Sequence, residues 1–323
     1  MISLTATSDS SPAQSQENAL LSIIIPARNN PVFTRECIAT AMQSVDLLHL
    51  NCEFILIDDA SEPGEGILDV FKQFRAGNPR HQFVIARSKV NLHYTGVFSL
   101  GLYLSRRERI FFLSNDMLIT PHFLTAVLGV AALDPAFGVV RGTSNYTDAH
   151  PEHEVELPKV VADYPDIAAF SRAIFEILGF TYVEDPLLSG DAVLIARSLV
   201  DRIGVMDLRF YGYFGDVDFG MRAHLAGFKL ACAKGAWLWH EGGGHIKRQV
   251  RVSGTEMSDA IRRRVDLVEA AYEVFRQKWD ASLPPIFDPA MVREFFPLAV
   301  KNAGRVDLKY SFPAAALENI ALV

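Results

Sequence analysis

The sequence predicts an α/β protein built on a mostly parallel sheet with helices on both faces. Three observations carry that prediction. Short β-branched or aromatic runs recur along the chain, and each is apolar throughout instead of alternating. Helical segments fall between them, so that strands return at intervals of roughly thirty residues. Polar residues gather directly behind the runs. A strand covered on both faces has no polar side, and a parallel neighbour needs a crossover long enough to hold a helix.

Leu21-Ser22-Ile23-Ile24-Ile25-Pro26 is the first run, and Pro26 opens its end into a loop. Asn29-Asn30-Pro31 is turn chemistry, with Pro31 in the first turn of a helix reaching about Leu48. Phe54 to Ile57 is a second strand, ended by Asp58-Asp59. Pro63-Gly64 leads into a helix with Ile67, Val70, Phe71 and Phe74 on one face. Gln82 to Ala86 is a third strand, Tyr94 to Leu104 a helix, and Arg109 to Leu113 a fourth strand. Pro121 opens another helix. From about His150 to Pro165 the chain is acidic and unpatterned, which predicts a surface excursion. Val193 to Ala196 and Trp237 to Trp239 are further strands, and a helix with Met221, Leu225 and Phe228 apolar lies between them.

Beyond Val250 the pattern changes. Arg262-Arg263-Arg264 sits in a helical stretch with Val265, Val268, Ala271, Tyr272 and Phe275 apolar. The expected organisation is a disordered tail over 1–19, a main domain over 20–250 and a helical extension over 251–323.

Composition narrows the function classes. The 323 residues carry 31 Lys+Arg against 38 Asp+Glu, a net charge of −7, and half are hydrophobic. That suffices for a large core, and it opposes a nucleic-acid protein driven by bulk charge. Cys37, Cys52 and Cys232 are too scattered for a disulfide framework and read as buried thiols of a reducing compartment. The most apolar stretch, Phe123 to Val140, is broken by Asp134-Pro135, so no span is expected. The Ser-, Thr- and Gln-rich start lacks the basic and apolar regions of a secretory signal. A cytoplasmic protein is expected.

In open parallel sheets ligands bind at the carboxyl ends of the strands. Arg28-Asn29, Asp58-Asp59 and Ser114-Asn115-Asp116 all fall there. Asp58-Asp59 reads either as turn-capping carboxylates or as acceptors for a base or ribose. Asp116 reads as a helix cap or as one of the few protein oxygens that an ion bridging phosphates needs. Asp216 and Asp218, in Gly215-Asp216-Val217-Asp218, complement a helix dipole or offer a desolvated general base. His240-Glu241-Gly242-Gly243-Gly244-His245 has the wrong spacing for a zinc protease, and its glycines oppose a helix. His240 then reads as a structural ring or a metal ligand beside a flexible, closable loop. Arg262-Arg263-Arg264 reads as a solvated face or a contact for anionic lipid. The chain has no Gly-x-Gly-x-x-Gly after its first strand, no phosphate loop and no nucleophile elbow.

Taken in order, the segments resemble family 2 glycosyltransferases with the GT-A fold, a Rossmann-like sheet. Leu21 to Asn29 is similar to that family's opening strand and Pro-x-x-Asn turn. Ile57-Asp58-Asp59-Ala60-Ser61 resembles its Val-Asp-Asp-Gly-Ser. Asn91 to Gly96, with Gly101 beyond, resembles its Asn-x-Gly stretch. Leu113-Ser114-Asn115-Asp116 falls at its metal motif, Ser189-Gly190-Asp191 at its acceptor-side strand, Phe214 to Asp218 at its Glu-Asp-x-Asp, and Trp239 to Gly243 at its His-x-Gly-Gly. The resemblance covers about residues 20–250, and the Asn-Asp pair is most similar to rhamnosyltransferase-type members.

The resemblance implies inverting transfer of a hexosyl or deoxyhexosyl group from a UDP- or dTDP-linked donor. The acceptor would be a hydroxyl of a glycan or lipid-linked molecule, as in polysaccharide biosynthesis. It implies that Pro26, Arg28, Asn29, Asp58, Asp59, Asn91, Asn115, Gly190 and Asp191 bind the nucleotide sugar. Asp116 and His240 would hold Mg2+ or Mn2+ on the diphosphate, and Asp216 would be the general base. The partners implied are the donor and acceptor; the charge balance opposes nucleic acid, and the arginine run of the C-terminal helix leaves open a peripheral contact at the inner face of the membrane. Two departures stand out: Ser114 replaces the first acid of the metal motif, and Gly215 replaces the Glu beside the base. They motivate an alternative, a catalytically silent GT-A domain acting as a sugar-nucleotide-binding or scaffold subunit. A nucleotidyltransferase on a related sheet is the third reading, opposed by the missing glycine-rich loop.

Overall fold

The computed structural model describes residues 21–147, 153–156, 163–185, 188, 190–242 and 257–323. The expected tail over 1–19, most of the His150–Pro165 excursion, Ser189, the Gly243-Gly244-His245 loop and the boundary at Val250 lie outside the described residues.

The chain runs through β1 (Leu21–Ala27), α1 (Pro31–Leu47), β2 (Cys52–Asp59), α2 (Ile67–Gly77), β3 (Gln82–Ser88), α3 (His93–Leu104) and β4 (Arg109–Leu113). It continues with β5 (Met117–Leu118), α4 (Pro121–Leu133), β6 (Phe137–Ser144), α5 (Tyr164–Leu178), β7 (Tyr182–Glu184) and β8 (Ala192–Ala196). Next come α6 (Arg197–Ile203), α7 (Gly215–Leu225) and β9 (Lys229–His240). After the gap follow α8 (Met257–Trp279), a 3-10 helix at Pro289–Glu294, α9 (Phe295–Asn302), α10 (Ala314–Leu317) and β10 (Ile320–Leu322).

The sheet order is β10-β3-β2-β1-β4-β8-β6-β9-β5, with β7 also on β9. Strands β3, β2, β1 and β4 are mutually parallel, as are β6 and β9. Successive residues of one strand feed opposite cores, which is why the strands show no alternation. Ile23 and Ile25 pack with α1, α2 and α4 on one face. Ile24, between them, packs with α3, α6 and α7 on the other. Each such burial contributes roughly 1.5–3 kcal/mol. The result is the α/β sheet covered on both faces that the sequence predicts.

Some details differ from the sequence reading. Val193 to Ala196 belongs to β8, which runs antiparallel between β4 and β6. A strand covered on both faces looks the same in sequence whichever way it runs. Strand β6 and most of α5 went unread, because β6 ends in Arg141, Thr143 and Ser144, polar yet buried. Trp237 to Trp239 proves to be the end of a strand that starts at Lys229, and Phe228 lies beyond α7.

The C-terminal helices pack on the outer side of α7. Ala271, Tyr272, Phe275 and Trp279 of α8 share a third apolar cluster with Phe210, Phe214 and Met221. Strand β10 pairs antiparallel with β3 and covers that edge of the sheet.

Candidate functional site

The carboxyl ends of the parallel strands and the loops behind them gather at one edge of the sheet. Asn29 and Asn30 both take left-handed backbone, at φ 58° and 59°, a conformation asparagine tolerates better than most residues. Asn29 ties two loops together: its amide donates to Ser61 Oγ at 2.9 Å, and its Oδ1 accepts from the Glu62 amide at 2.8 Å. Asp58 is fully buried and accepts from the Ser61 amide at 2.9 Å and from Arg87 Nη1 at 2.8 Å. Asp59 Oδ1 accepts from the Leu92 amide at 2.6 Å. Burial pushes the Asp59 carboxyl up to about 6, against the main-chain hydrogen bonds and the Arg28 charge that favour its ionised form. Pro26 is partly exposed at the end of β1, and Arg28 is exposed beside it. Asn91 Oδ1 accepts from the His93 amide at 2.9 Å, an Asx turn that starts α3.

Behind β4, Asn115 Nδ2 donates to Thr34 Oγ1 at 2.9 Å and fastens this loop to α1. Two-residue β5 then pairs antiparallel with the end of β9, with Met117 opposite His240. This register sets Asp116 Oδ2 3.5 Å from His240 Nε2. The other ring nitrogen, Nδ1, lies 3.2 Å from the Tyr146 carbonyl, an obligate acceptor, so Nδ1 carries the proton. Asn145 braces the same residue twice, accepting from the His240 amide at 2.7 Å and donating to its carbonyl at 2.9 Å. Burial pushes the His240 ring down. The Asp116 hydrogen bond and charge, with Asp191 and the Tyr146 carbonyl, outweigh it and carry the ring up to about 9.

Once an ion displaces the Nε2 proton, a carboxylate oxygen and an oriented imidazole nitrogen at this separation fit two neighbouring positions on one divalent ion, whose ligands lie about 2.1 Å from it for Mg2+. Among the described residues no group of three or more His, Cys, Asp or Glu could hold an ion by itself. The pair therefore suits an ion that takes its remaining ligands from phosphates and water.

Asp216 lies in the first turn of α7. Its Oδ1 accepts from the Val217 amide at 2.9 Å and its Oδ2 from the Gly190 amide at 3.2 Å. Burial pushes its carboxyl up to about 6, and the Asp191 charge adds to the rise. The Asp191 charge raises the His240 ring as well as the Asp216 carboxyl. Its carbonyl accepts from the Ser114 amide at 2.9 Å, joining β8 to the loop after β4. The glycine at 215 has a local cause: a Cβ there would lie 2.7 Å from Thr95 Oγ1.

Several groups of this site escaped the sequence reading. The Tyr94 hydroxyl is enclosed with no hydrogen-bond partner among the described residues. A Cβ at position 190 would lie 1.7 Å from it. Burial and the charges of Asp216 and Asp191 hold this phenol well above its ordinary range. Arg141 of β6 is buried, donates from Nε to the Gly142 carbonyl at 3.3 Å, and has no partner for Nη1 among the described residues. It shares with Asp191 the lining of a cavity of about 10 Å3. A lone arginine behind Val139-Val140 was the available signal. His93 and the exposed Tyr211 lie against each other with their rings tilted by 45° and the centroids 3.8 Å apart.

The profile described as Glycosyl transferase family 2 matches residues 22–203. An uncharacterized protein of Mycobacterium tuberculosis (strain ATCC 25618 / H37Rv) is 28% identical over 220 residues, covering 60% of this chain and 76% of that protein. A counterpart in Mycobacterium bovis matches equally. Among solved structures, a mannosyltransferase from Pyrobaculum calidifontis in complex with GDP-Man and Mn2+ superposes with a TM-score of 0.54 at 16% identity, covering 93% of this chain and 74% of that one. TarS 1-349 of S. aureus in complex with UDP-GlcNAc gives 0.54 at 14% identity, covering 88% and 73%. These similarities establish a shared GT-A fold.

Proposed function

The chain belongs to glycosyl transferase family 2 and is a glycosyltransferase, and from that premise we propose an inverting transfer from a UDP- or dTDP-linked sugar to a hydroxyl of a glycan or lipid-linked acceptor. The observation that carries this reading is Asp216. It is a carboxylate held by main-chain amides and raised to about 6 by burial and the Asp191 charge. Such a group is ionised at neutral pH yet basic enough to take a proton.

In this reading the acceptor hydroxyl approaches Asp216 and gives up its proton to the carboxylate. The oxygen attacks the anomeric carbon from the face opposite the diphosphate. The new carbon–oxygen bond forms as the bond to the diphosphate breaks, so the configuration inverts. Asp116 and His240 would hold Mn2+ or Mg2+, which supplies charge neutralisation for the leaving diphosphate when bound. Pro26, Arg28, Asn29 and Asp59 receive the nucleoside, with Asp58 holding the turn beneath them. Asn91 and Asn115 shape the donor loops, while Gly190 and Asp191 face the transferred sugar. Mixed nitrogen and oxygen ligation makes Mn2+ the first ion to try.

Among the described residues no helix is long and apolar enough to cross a membrane. We place the enzyme in the cytoplasm in polysaccharide biosynthesis, with peripheral membrane contact through α8, where Arg262 and Arg263 are exposed beside Ile261 and Val265.

Asp216→Asn tests the assignment. Turnover of the matching sugar nucleotide should fall about 100-fold or more, in the range of general-base contributions, while diphosphate binding holds. Equal loss of both would end the base role. The second reading, a sugar-nucleotide-binding or scaffold subunit, draws on Ser114 in the metal motif. Any hydrolysis of a sugar nucleotide by the wild-type protein, abolished by Asp216→Asn, would remove it.

A further inference from the structure

The residues on either side of Asp216 are gripped by helices from the far end of the chain. Phe214, the N-cap residue of α7, has φ +62° and supplies no side-chain cap. A left-handed backbone at a bulky residue persists only where surroundings enforce it. Its ring is enclosed by C-terminal aromatics, with centroids 5.5 Å from Tyr272, 5.4 Å from Phe275 and 4.9 Å from Phe287.

Asp218, two residues beyond the base, is fully buried. Its Oδ1 accepts from Lys278 Nζ at 2.6 Å and from Trp279 Nε1 at 3.0 Å, both at the end of α8. Its Oδ2 accepts from Arg222 Nε at 2.8 Å. Lys278 also reaches Asp207 Oδ2 at 2.9 Å, and the other Arg222 nitrogens donate to the carbonyls of Ile203, Val205 and Leu308. Each buried acid meets a cation, Lys278 meets both Asp207 and Asp218, and Arg222 meets Asp218 and three carbonyls. Apart from the Ile203 carbonyl, the network lies beyond the family-matched residues, which end at 203.

We propose that the C-terminal helices are the positioning element for Asp216, acting through Lys278 and Trp279 on Asp218 and through the aromatic cage on Phe214. The two acids of Asp216-Val217-Asp218 thereby divide their work: the first faces substrate, and the second anchors the turn that presents it. The inference rests on Asp216 being the base. The carboxylate of Asp216 is held by the main-chain amides of Gly190 and Val217, so its place follows the backbone of this turn. With the anchor gone, the strained turn relaxes, and a displacement near 1 Å can cost about 100-fold in rate.

The test uses the full chain. Trp279→Phe keeps a ring and removes the indole donor, Lys278→Met removes the ammonium, and Lys278→Arg keeps a cation. UDP, dTDP and GDP are the binding probes, and UDP-glucose, dTDP-rhamnose and GDP-mannose are the turnover probes. Trp279→Phe and Lys278→Met should lower kcat at least tenfold with diphosphate Kd within twofold of wild type. Amides of Gly215 to Val217 should exchange hydrogen faster, those of β1 to β4 should not, and Lys278→Arg should recover most of the rate. Unchanged kcat or unchanged exchange in both variants overturns the proposal, as does an equal loss of kcat and diphosphate affinity. If Asp216→Asn is inactive while these variants are wild type, the anchor alone fails. Full activity of Asp216→Asn removes the base reading and the anchor with it.

Discussion

His240 Nε2 lies 3.5 Å from Asp116 Oδ2 because the two-residue strand β5 seats Met117 opposite His240. If this pair holds an ion, Asp116→Asn and His240→Ala should each remove the gain that Mn2+ brings to UDP or dTDP binding. Asn145→Ala leaves both ligands and loosens only the backbone of His240, so it should cost about 10–100-fold in metal affinity. Calorimetry with and without Mn2+ measures all three. Metal dependence that survives His240→Ala would show that the ion sits elsewhere.

Acid should silence the enzyme before it unfolds it. Asp216 must be ionised to take a proton, and its pKa is raised from 3.8 to about 6. Below that value kcat/KM should fall tenfold per pH unit. The stability sign is opposite. Between 3.8 and 6 the unfolded chain ionises this group while the fold keeps it protonated. Asp216 therefore lowers stability as pH rises through that window and has no further effect above it. Asp59, raised to the same value, adds a like fall, so Asp216→Asn should reduce the fall in a denaturation series and leave the Asp59 share. A rate that stays flat down to pH 5 would exclude a base of this pKa.

The Tyr94 hydroxyl occupies the space that a side chain at position 190 needs, 1.7 Å from the ideal Cβ. Gly190→Ala should therefore destabilise by about 1–3 kcal/mol and displace Tyr94 from the cleft. Tyr94→Phe removes the colliding oxygen, so the double variant should regain part of the loss. A double-mutant cycle on thermal denaturation gives the coupling. Additive costs would mean that the backbone moves instead of the ring.

Arg141 is buried with Nη1 lacking a partner among the described residues, an arrangement that disfavours folding. Arg141→Met should raise Tm while lowering affinity for a sugar nucleotide more than for its diphosphate. Scanning calorimetry and titration with UDP-glucose and UDP separate these effects. A variant that is less stable and binds both normally would make Arg141 a structural residue only.

The sequence alone determined the layered sheet. Leu21 to Ala27, Cys52 to Asp59 and Arg109 to Leu113 must be covered on both faces, because no polar side is available to meet water. It also determined the family, since ordered short motifs at strand ends survive as local chemistry. Asp59 and Asp116 were legible for that reason: a carboxylate directly behind a buried strand lies at the ligand edge by topology.

What only the tertiary structure decided concerns pairs distant along the chain. The direction of β8, the meeting of Asp116 with His240, and the contact of Gly190 with Tyr94 depend on register and crossover, which residue types leave open. Asp216 and Asp218 show the limit most sharply. They are identical side chains two residues apart, yet about half a helical turn aims one at Gly190 and the other at Lys278 and Trp279. Their chemistry differs because their surroundings differ: Asp216 meets Gly190 and the Asp191 charge, while Asp218 meets Lys278 and Trp279 from the far end of the chain.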